Sequence, residues 1–535
     1  MIFHASGTRP FVNRTVQAFQ IKLNMQTACL HWSSSRISKC VFFVLLGALL
    51  VTPLWMVRYP PLVDYPNHLA RSFVLAHLND PKFGFNQFYA ADWGLYPYVL
   101  ADVLASGLQR LIGIDLAGRA ILSLCVLGLP LAILFFLRRA NPEASYLAVW
   151  GPVIAYNPCF LTGFISSELS VSLCFLAVGL WLSYLYRPGL LKWCALLVLM
   201  TVLYLTHLIG FGVAGLIVTV YGLTARLSLR EMLCSLALFV PGATMYLVWQ
   251  LPLKNAVGFD YTTWDLHWKL AGLAFPLRGY SKSLDLFTLV AVIGCVVAVV
   301  WRNPSIRWNF RWLGVAAVVF AFYWVIPAKY GLGGGNVDVR IPQFLFIILL
   351  ATMKPGGWKR VLIATAILLF AIRIGYVGYH FVQEETRLER LATSFSTIPA
   401  HARVMPLLRF SEEGPYARRG EVHLWAYGII EKGWLSPALF HIKGIQPISL
   451  RNDIYCVKEG CGPLVDREPD WGRVSRDYDY VWAYDLPEYD SQLKAIGSCI
   501  FSESKIRVFH MENVSTSGST GPGTLARSLD QASMQ

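Results

Sequence analysis

The chain has 535 residues, 55% of them hydrophobic and only 15% charged, against roughly 45–50% apolar and about 25% charged in an ordinary soluble domain. A mean hydropathy of +0.49, averaged over polar stretches at both ends, excludes a wholly soluble enzyme. The formal net charge of +14 is the Lys and Arg excess that cytoplasmic loops of a polytopic membrane protein retain, so the expected partner is a lipid bilayer and no nucleic acid is called for.

Residues 1–39 carry Arg9, Arg14, Lys22, Arg36 and Lys39 and read as a cytoplasmic N-terminal segment. The first apolar run, Cys40–Val57, is followed by Arg58 and Tyr59 rather than a small-residue cleavage site, so it is expected to stay as the first span. Further apolar runs are Ile121–Leu137, Tyr146–Leu161, Leu169–Tyr186, Leu191–Thr206, Ile209–Leu223, Met232–Leu251, Leu284–Val300, Leu313–Ile326, Ile341–Ala351 and Val361–Val377. They predict roughly eleven transmembrane helices in a domain over 40–379. Walked from an inward N-terminus, Arg138/Arg139, Arg187/Lys192, Arg226/Arg230, Arg302/Arg307/Arg311 and Lys354/Lys359/Arg360 fall on one side, as the positive-inside rule requires. The other side receives a long loop over 58–119, two shorter loops and everything after residue 380. The expected location is a bacterial-type inner membrane, with the C-terminal region in the periplasm or outside the cell.

The first exported loop gathers the polar chemistry. In Pro60-Pro61-Leu-Val-Asp64-Tyr-Pro66-Asn67-His68-Leu-Ala-Arg71, Asp64 is placed to cap a helix whose first turn accepts Pro66, with Asn67/Arg71 and His68/Ser72 on one polar face. Leu100, Val103, Leu104, Leu108 and Leu111 mark a second helix, and both are expected in the membrane interface, joined through Asp92-Trp93-Gly94.

A first span, Pro-Pro-x-x-Asp64, an interfacial helix, an aromatic-Pro segment (Tyr96-Pro97-Tyr98) opening a second helix, and Ile112-Gly113-Ile-Asp-Leu-Ala-Gly-Arg119 leading into the next span resemble the GT-C glycosyltransferases, similar to the protein and lipid mannosyltransferase-like families. The resemblance implies an integral membrane enzyme that takes a sugar from a polyprenyl-phosphate carrier and inverts it on transfer to an acceptor glycan, lipid or protein. It also implies an acidic motif in the first exported loop that serves catalysis or binds a divalent cation, Mg or Mn. Here that motif is Asp64 followed by Tyr65, and Asp64 with His68 would be the metal ligands.

Such a transfer needs a base for the acceptor, cations for the leaving phosphate and a dry cleft. Asp64 is the candidate base, with His68 one turn on. Glu168, at the start of the fourth span, is the candidate second acid. Arg71, Asp92 and His207 are candidate substrate-binding residues. So are Asp338 and Arg340, an ion-pair candidate ending the glycine-rich Gly331-Leu-Gly333-Gly334-Gly335-Asn336 loop, and Arg373, an arginine inside the last span.

Glu384–Leu391 reads as a charged helix, and Ala402–Leu408, Tyr480–Tyr484 and Lys505–Phe509 as strands, predicting a small exported α/β domain over 380–512. Its Trp425, Trp434, Trp471 and Trp482 are expected mostly in its core, with sugar stacking as the other use. Cys456 and Cys461 are placed to close a disulfide, and 513–535 has a disordered composition. Two other classes fit the same chain: a transporter, for which the repeated halves are not visible, and a non-catalytic scaffold or export-complex subunit.

Overall fold

A computed structural model describes residues 36–253, 259–302, 306–330, 335–354, 356–409, 420–451, 454–457, 463–465 and 467–512. The chain divides into two compact units, residues 1–50 and 51–535. The helices in chain order are α1 (Arg36–Met56), α2 (Tyr65–Ala76), α3 (Val99–Ile112), α4 (Ile114–Ala140), α5 (Pro158–Thr162), α6 (Ile165–Tyr186), α7 (Leu190–Thr206), α8 (Leu208–Thr224), α9 (Leu229–Leu236) and α10 (Val240–Leu253). They continue as α11 (Leu266–Gly272), α12 (Lys282–Arg302), α13 (Phe310–Val325), α14 (Ile341–Thr352), α15 (Lys359–Ala392), α16 (Ala426–Lys432), α17 (Trp471–Asp477) and α18 (Asp490–Ile496). Among the described residues five helices are long and apolar enough to cross a membrane, and four more are apolar over 10–17 residues. This is an integral membrane protein.

One predicted span is corrected. Tyr146–Leu161 is not a helix: residues Pro142–Trp150 and Pro152–Ile154 form 3-10 turns that lead into the short α5. Pro142, Pro152 and Pro158 each remove a backbone donor, so a continuous α-helical ladder cannot form. The crossing nevertheless exists. Arg139 Nε at one end of α4 donates to Ser183 at the far end of α6, 3.1 Å; Cys125 and Gly128 face Ile165 and Ser172 at the near end. Helices α4 and α6 therefore run in the same direction, and the segment between them must return along their length. Its Leu147, Trp150, Val153, Ile154 and Tyr156 are buried. Irregular backbone is tolerated at membrane depth only where protein covers it, so the apolar run is core and not a lipid-facing surface.

The two helices of the first long loop are present, with their faces reversed from one another. Helix α3 turns Val103, Leu104 and Leu111 outward and buries Asp102, Ser106 and Gln109, as a helix on a lipid surface would. Helix α2 is buried nearly all round, so its polar face is bonded to protein and not laid against water. The loop also contributes β1 (Tyr89–Ala91), which pairs antiparallel with β3 (Ile448–Leu450).

Helix α15 runs unbroken through the predicted boundary at 380, and the charged stretch Glu384–Leu391 is its last part. Beyond it, β2 (Val404–Leu408), β4 (Tyr480–Tyr484), β5 (Gly497–Glu503) and β6 (Ile506–Met511) form a sheet of order β2-β4-β6-β5, parallel only between β2 and β4. The predicted strands match β2, β4 and β6; β5 is additional. Trp425, Trp434 and Trp482 are fully buried core residues. Most of the N-terminal segment, Gly331–Gly334, Cys461 and the tail after 512 lie outside the described residues.

Candidate functional site

The site is organised around the turn that enters α2. Asn157 caps α5 with its Oδ1, accepting from the backbone N–H groups of Cys159 (2.8 Å) and Phe160 (3.3 Å). The helix closes at Gly163, whose φ of +88° suits glycine alone; a Cβ there would stand 2.7 Å from Tyr65 N and 3.1 Å from Asp64 N. Next to that glycine, Asp64 N–H donates to Thr162 O at 2.8 Å. Asp64 is thus positioned through its backbone.

Its carboxylate is left for other work. Asp64 stands at the N-cap of α2 but makes no side-chain capping bond, contrary to the expectation from sequence. A capping residue has extended backbone and its oxygen accepts from the second or third N–H of the helix; here the second residue is Pro66, which has none, and Asp64 itself has helical backbone (φ −90°, ψ −13°), which does not suit a bond to the third. Instead Oδ1 lies 3.6 Å from His423 Nε2, and the side chain is 21% exposed. Burial raises its carboxyl to a pKa of about 7 against the opposing pull of Arg340 and Arg71.

Along α2, Arg71 forms a two-pronged ion pair with Asp102 of α3, both contacts 2.9 Å. Its Nη2 also lies 3.0 Å from His68 Nδ1, so that nitrogen must accept and the His68 proton sits on Nε2. Burial first and Arg71 second push His68 well below the ordinary imidazole range, which leaves it neutral. Arg71 Nη1 is buried with no partner, and the cavity it lines also includes Tyr65, His68, Ser72 and Ser166.

Arg340 approaches from the end of the glycine-rich loop. Its Nη1 lies 2.7 Å from His207 Nε2, its Nη2 donates to Gly335 O at 3.2 Å, and its guanidinium covers the Phe164 ring at 4.1 Å. Donors approach both nitrogens of His207, because Ile209 N–H reaches Nδ1 at 3.1 Å. A neutral imidazole has one acceptor nitrogen, so His207 satisfies one of them. Arg340 Nε is also buried without a partner. This arginine is short of acceptors.

The predicted Asp338–Arg340 pair does not form. The two residues are one step from adjacent in a 3-10 turn and point to different sides; Asp338 pairs instead with Lys269 at 2.8 Å, both fully buried. Glu168 is not a solvated span entrance. It is 3% exposed, and its Oε2 accepts from Asn157 Nδ2 (3.1 Å) and Gln343 Nε2 (3.2 Å), while Oε1 has no partner. Arg373 is also engaged elsewhere. It donates to the carbonyls of Val153 (3.1 Å), Leu277 (2.6 Å) and Arg278 (2.8 Å) and lies 3.3 Å from Asp285, so four of its five N–H directions are spent on the scaffold rather than on a substrate. Asp92, beyond β1, accepts from Tyr96 at 3.2 Å.

Asn67 and His423 are the residues the sequence reading passed over at this site. Asn67 was legible only as part of a polar helix face, and nothing in Glu421-Val-His423-Leu-Trp425 marks the histidine. Among the described residues no three His, Cys, Asp or Glu side chains converge to hold a metal ion, and His68 spends Nδ1 on Arg71. No chemical step is assigned to Mg or Mn.

No family model and no curated protein matches the sequence. Among solved structures the chain is similar to ArnT from Cupriavidus metallidurans in the apo state, with a TM-score of 0.52 and 13% identity over 91% of this chain and 100% of that one. The structure of the same protein bound to undecaprenyl phosphate gives a TM-score of 0.49 at the same identity and coverage. The chain has the GT-C membrane glycosyltransferase fold.

Proposed function

We propose that the protein is an inner-membrane glycosyltransferase that moves a sugar from a polyprenyl-phosphate-linked donor to an acceptor on the exported side, with inversion at the sugar carbon. One observation carries the reading: a carboxylate, Asp64, that is free of the capping role its position implies and stands in the electrostatic reach of two arginines. The fold supports it: the likeness is to apo ArnT, and ArnT is a protein that has been seen with undecaprenyl phosphate.

In the step proposed, the acceptor hydroxyl gives its proton to Asp64 as its oxygen bonds to the anomeric carbon. The bond from that carbon to the phosphate oxygen breaks, and the polyprenyl phosphate leaves with the electron pair. Arg340, short of acceptors, meets the charge that develops on the phosphate. Glu168 serves as the second acid, in the field of Arg340. His68, neutral, lines the acceptor side. The C-terminal region is exported, and Cys456 is linked there to Cys461.

The test is direct. Purified protein in lipid nanodiscs is given polyprenyl-phosphate sugars of different headgroups, and release of free polyprenyl phosphate is followed by chromatography. Release that needs both a lipid-linked sugar and wild-type Asp64 supports the reading; no release from any donor with folded protein overturns it.

A further inference from the structure

Asn67 is held on three sides. Its Oδ1 accepts from Phe440 N–H at 2.8 Å, which fixes which end of the amide is oxygen. One proton of Nδ2 then goes to Ala438 O at 3.1 Å, and the other faces His423 Nδ1 at 3.2 Å. An amide N–H requires an acceptor, so His423 Nδ1 carries no proton and the ring, which burial keeps neutral, carries its proton on Nε2. That is the nitrogen 3.6 Å from Asp64 Oδ1. Phe440 closes the arrangement, its ring edge-on to both His423 (4.9 Å) and His68 (5.4 Å). Three segments far apart in sequence thus set the tautomer of one buried histidine and aim its N–H at one oxygen of the candidate base.

We propose that His423 is a positioning residue for Asp64: its Nε2–H, in the tautomer set by Asn67, faces Oδ1 at 3.6 Å, longer than a hydrogen bond, and closes on it in the reacting complex, leaving Oδ2 for the acceptor hydroxyl. The proposal rests on the glycosyl-transfer reading above, and it makes the region after α15 a part of the catalytic site. It assigns Asn67 the role of choosing the tautomer. A histidine with its proton on Nδ1 would present a lone pair to the carboxylate and repel it.

Two variants separate donation from bulk. His423→Phe keeps a ring of similar size without the donor, and His423→Gln returns an N–H near the position of Nε2. The expected result is a fall in kcat of roughly 10- to 100-fold for His423→Phe, the kinetic equivalent of one hydrogen bond to a charged group, with the KM for the lipid donor unchanged. His423→Gln should recover most of it. Equal kcat in wild type and His423→Phe, or folded Gln and Phe variants that are equally impaired, would overturn the proposal.

A second measurement does not depend on turnover. In nitrogen-15 spectra of full-length protein labelled at histidine, the His423 ring, identified by its loss in His423→Gln, should show the Nε2–H tautomer. Asn67→Asp should move the proton to Nδ1, and Asp64→Asn should shift the Nε2 resonance. A tautomer indifferent to Asn67 and Asp64 overturns the clamp even in an active enzyme. An inactive wild type with the spectra as expected overturns the transferase reading and leaves the clamp standing.

Discussion

Two arginines, one buried and one half-buried, show how differently this fold treats a cation. Arg373, in the long helix α15, is surrounded by three carbonyl oxygens and Asp285, and its partners come from three separate segments. Arg340, at the head of α14, faces a neutral histidine that already serves another donor, one carbonyl and the face of a phenyl ring. Removing a guanidinium from water is costly, wholly so at Arg373 and in part at half-buried Arg340. At Arg373 the protein supplies the replacement acceptors; at Arg340 it does not, and Asp64 and Glu168 act on it only from a distance. A cation fully satisfied by its own chain is scaffold, whereas one left short is suited to an anion that comes from outside.

The largest expected effect belongs to the under-satisfied side. Asp64→Asn removes the base and should lower turnover by roughly 10²- to 10⁴-fold, the range for general-base loss. Because Asp64 caps nothing, Asp64→Ala should be folded too and fall as far. Thermal unfolding of both variants in detergent, beside their rates, separates catalysis from stability. An Asp64→Asn protein with wild-type turnover would erase the distinction between the two arginine sites.

Arg373→Met should act on the fold. It leaves Asp285 buried without its cation, a loss of about 3–5 kcal/mol for breaking a buried pair from one side, seen as a lower aggregation temperature. Adding Asp285→Leu should return part of that stability, since paired removal spares the uncompensated charge. Arg340→Gln makes the opposite prediction: near-native unfolding, with kcat/KM for the lipid donor reduced roughly 10- to 100-fold, the loss of a charge-assisted contact. Normal lipid-donor kinetics in Arg340→Gln would place the phosphate elsewhere.

The same contrast explains what could be read from the sequence. Long apolar runs bounded by basic loops gave most of the helices, because lipid leaves no alternative to regular hydrogen bonding. Tyr146–Leu161 is as apolar as a span but is covered by protein, and hydropathy does not separate those two environments. Asp64 was legible through its short motif. Its freedom from capping follows only in part from Pro66 two residues later; the helical backbone of Asp64 itself, which the sequence does not show, completes it. What remained hidden was pairing across the chain: Asp338 takes Lys269, not Arg340; Arg373 takes Asp285; and Asn67 reaches His423, 356 positions away. Residue type says that a buried charge needs a partner, and only the packing of helices far apart in sequence says which.

The smallest expected effect is on pH dependence, and its sign follows from the burial of Asp64. The carboxyl titrates near 7 in the folded protein, above its ordinary value, so the folded state holds a proton that the unfolded chain has lost between about pH 4 and 7. Stability therefore falls as pH rises through that window, and Asp64→Asn should show a smaller fall than wild type. Activity moves the other way, because the base works only when ionised: kcat/KM should rise about tenfold between pH 6 and 8 and level off above. The neighbouring histidines do not blur this, since burial lowers His68 and His423 out of the range, and Arg71 and Arg340 stay charged throughout. Arg340→Gln sharpens the point. That cation is the largest influence opposing burial at Asp64, so its removal should shift the rate profile to higher pH, while Arg373→Met should leave the profile where it is.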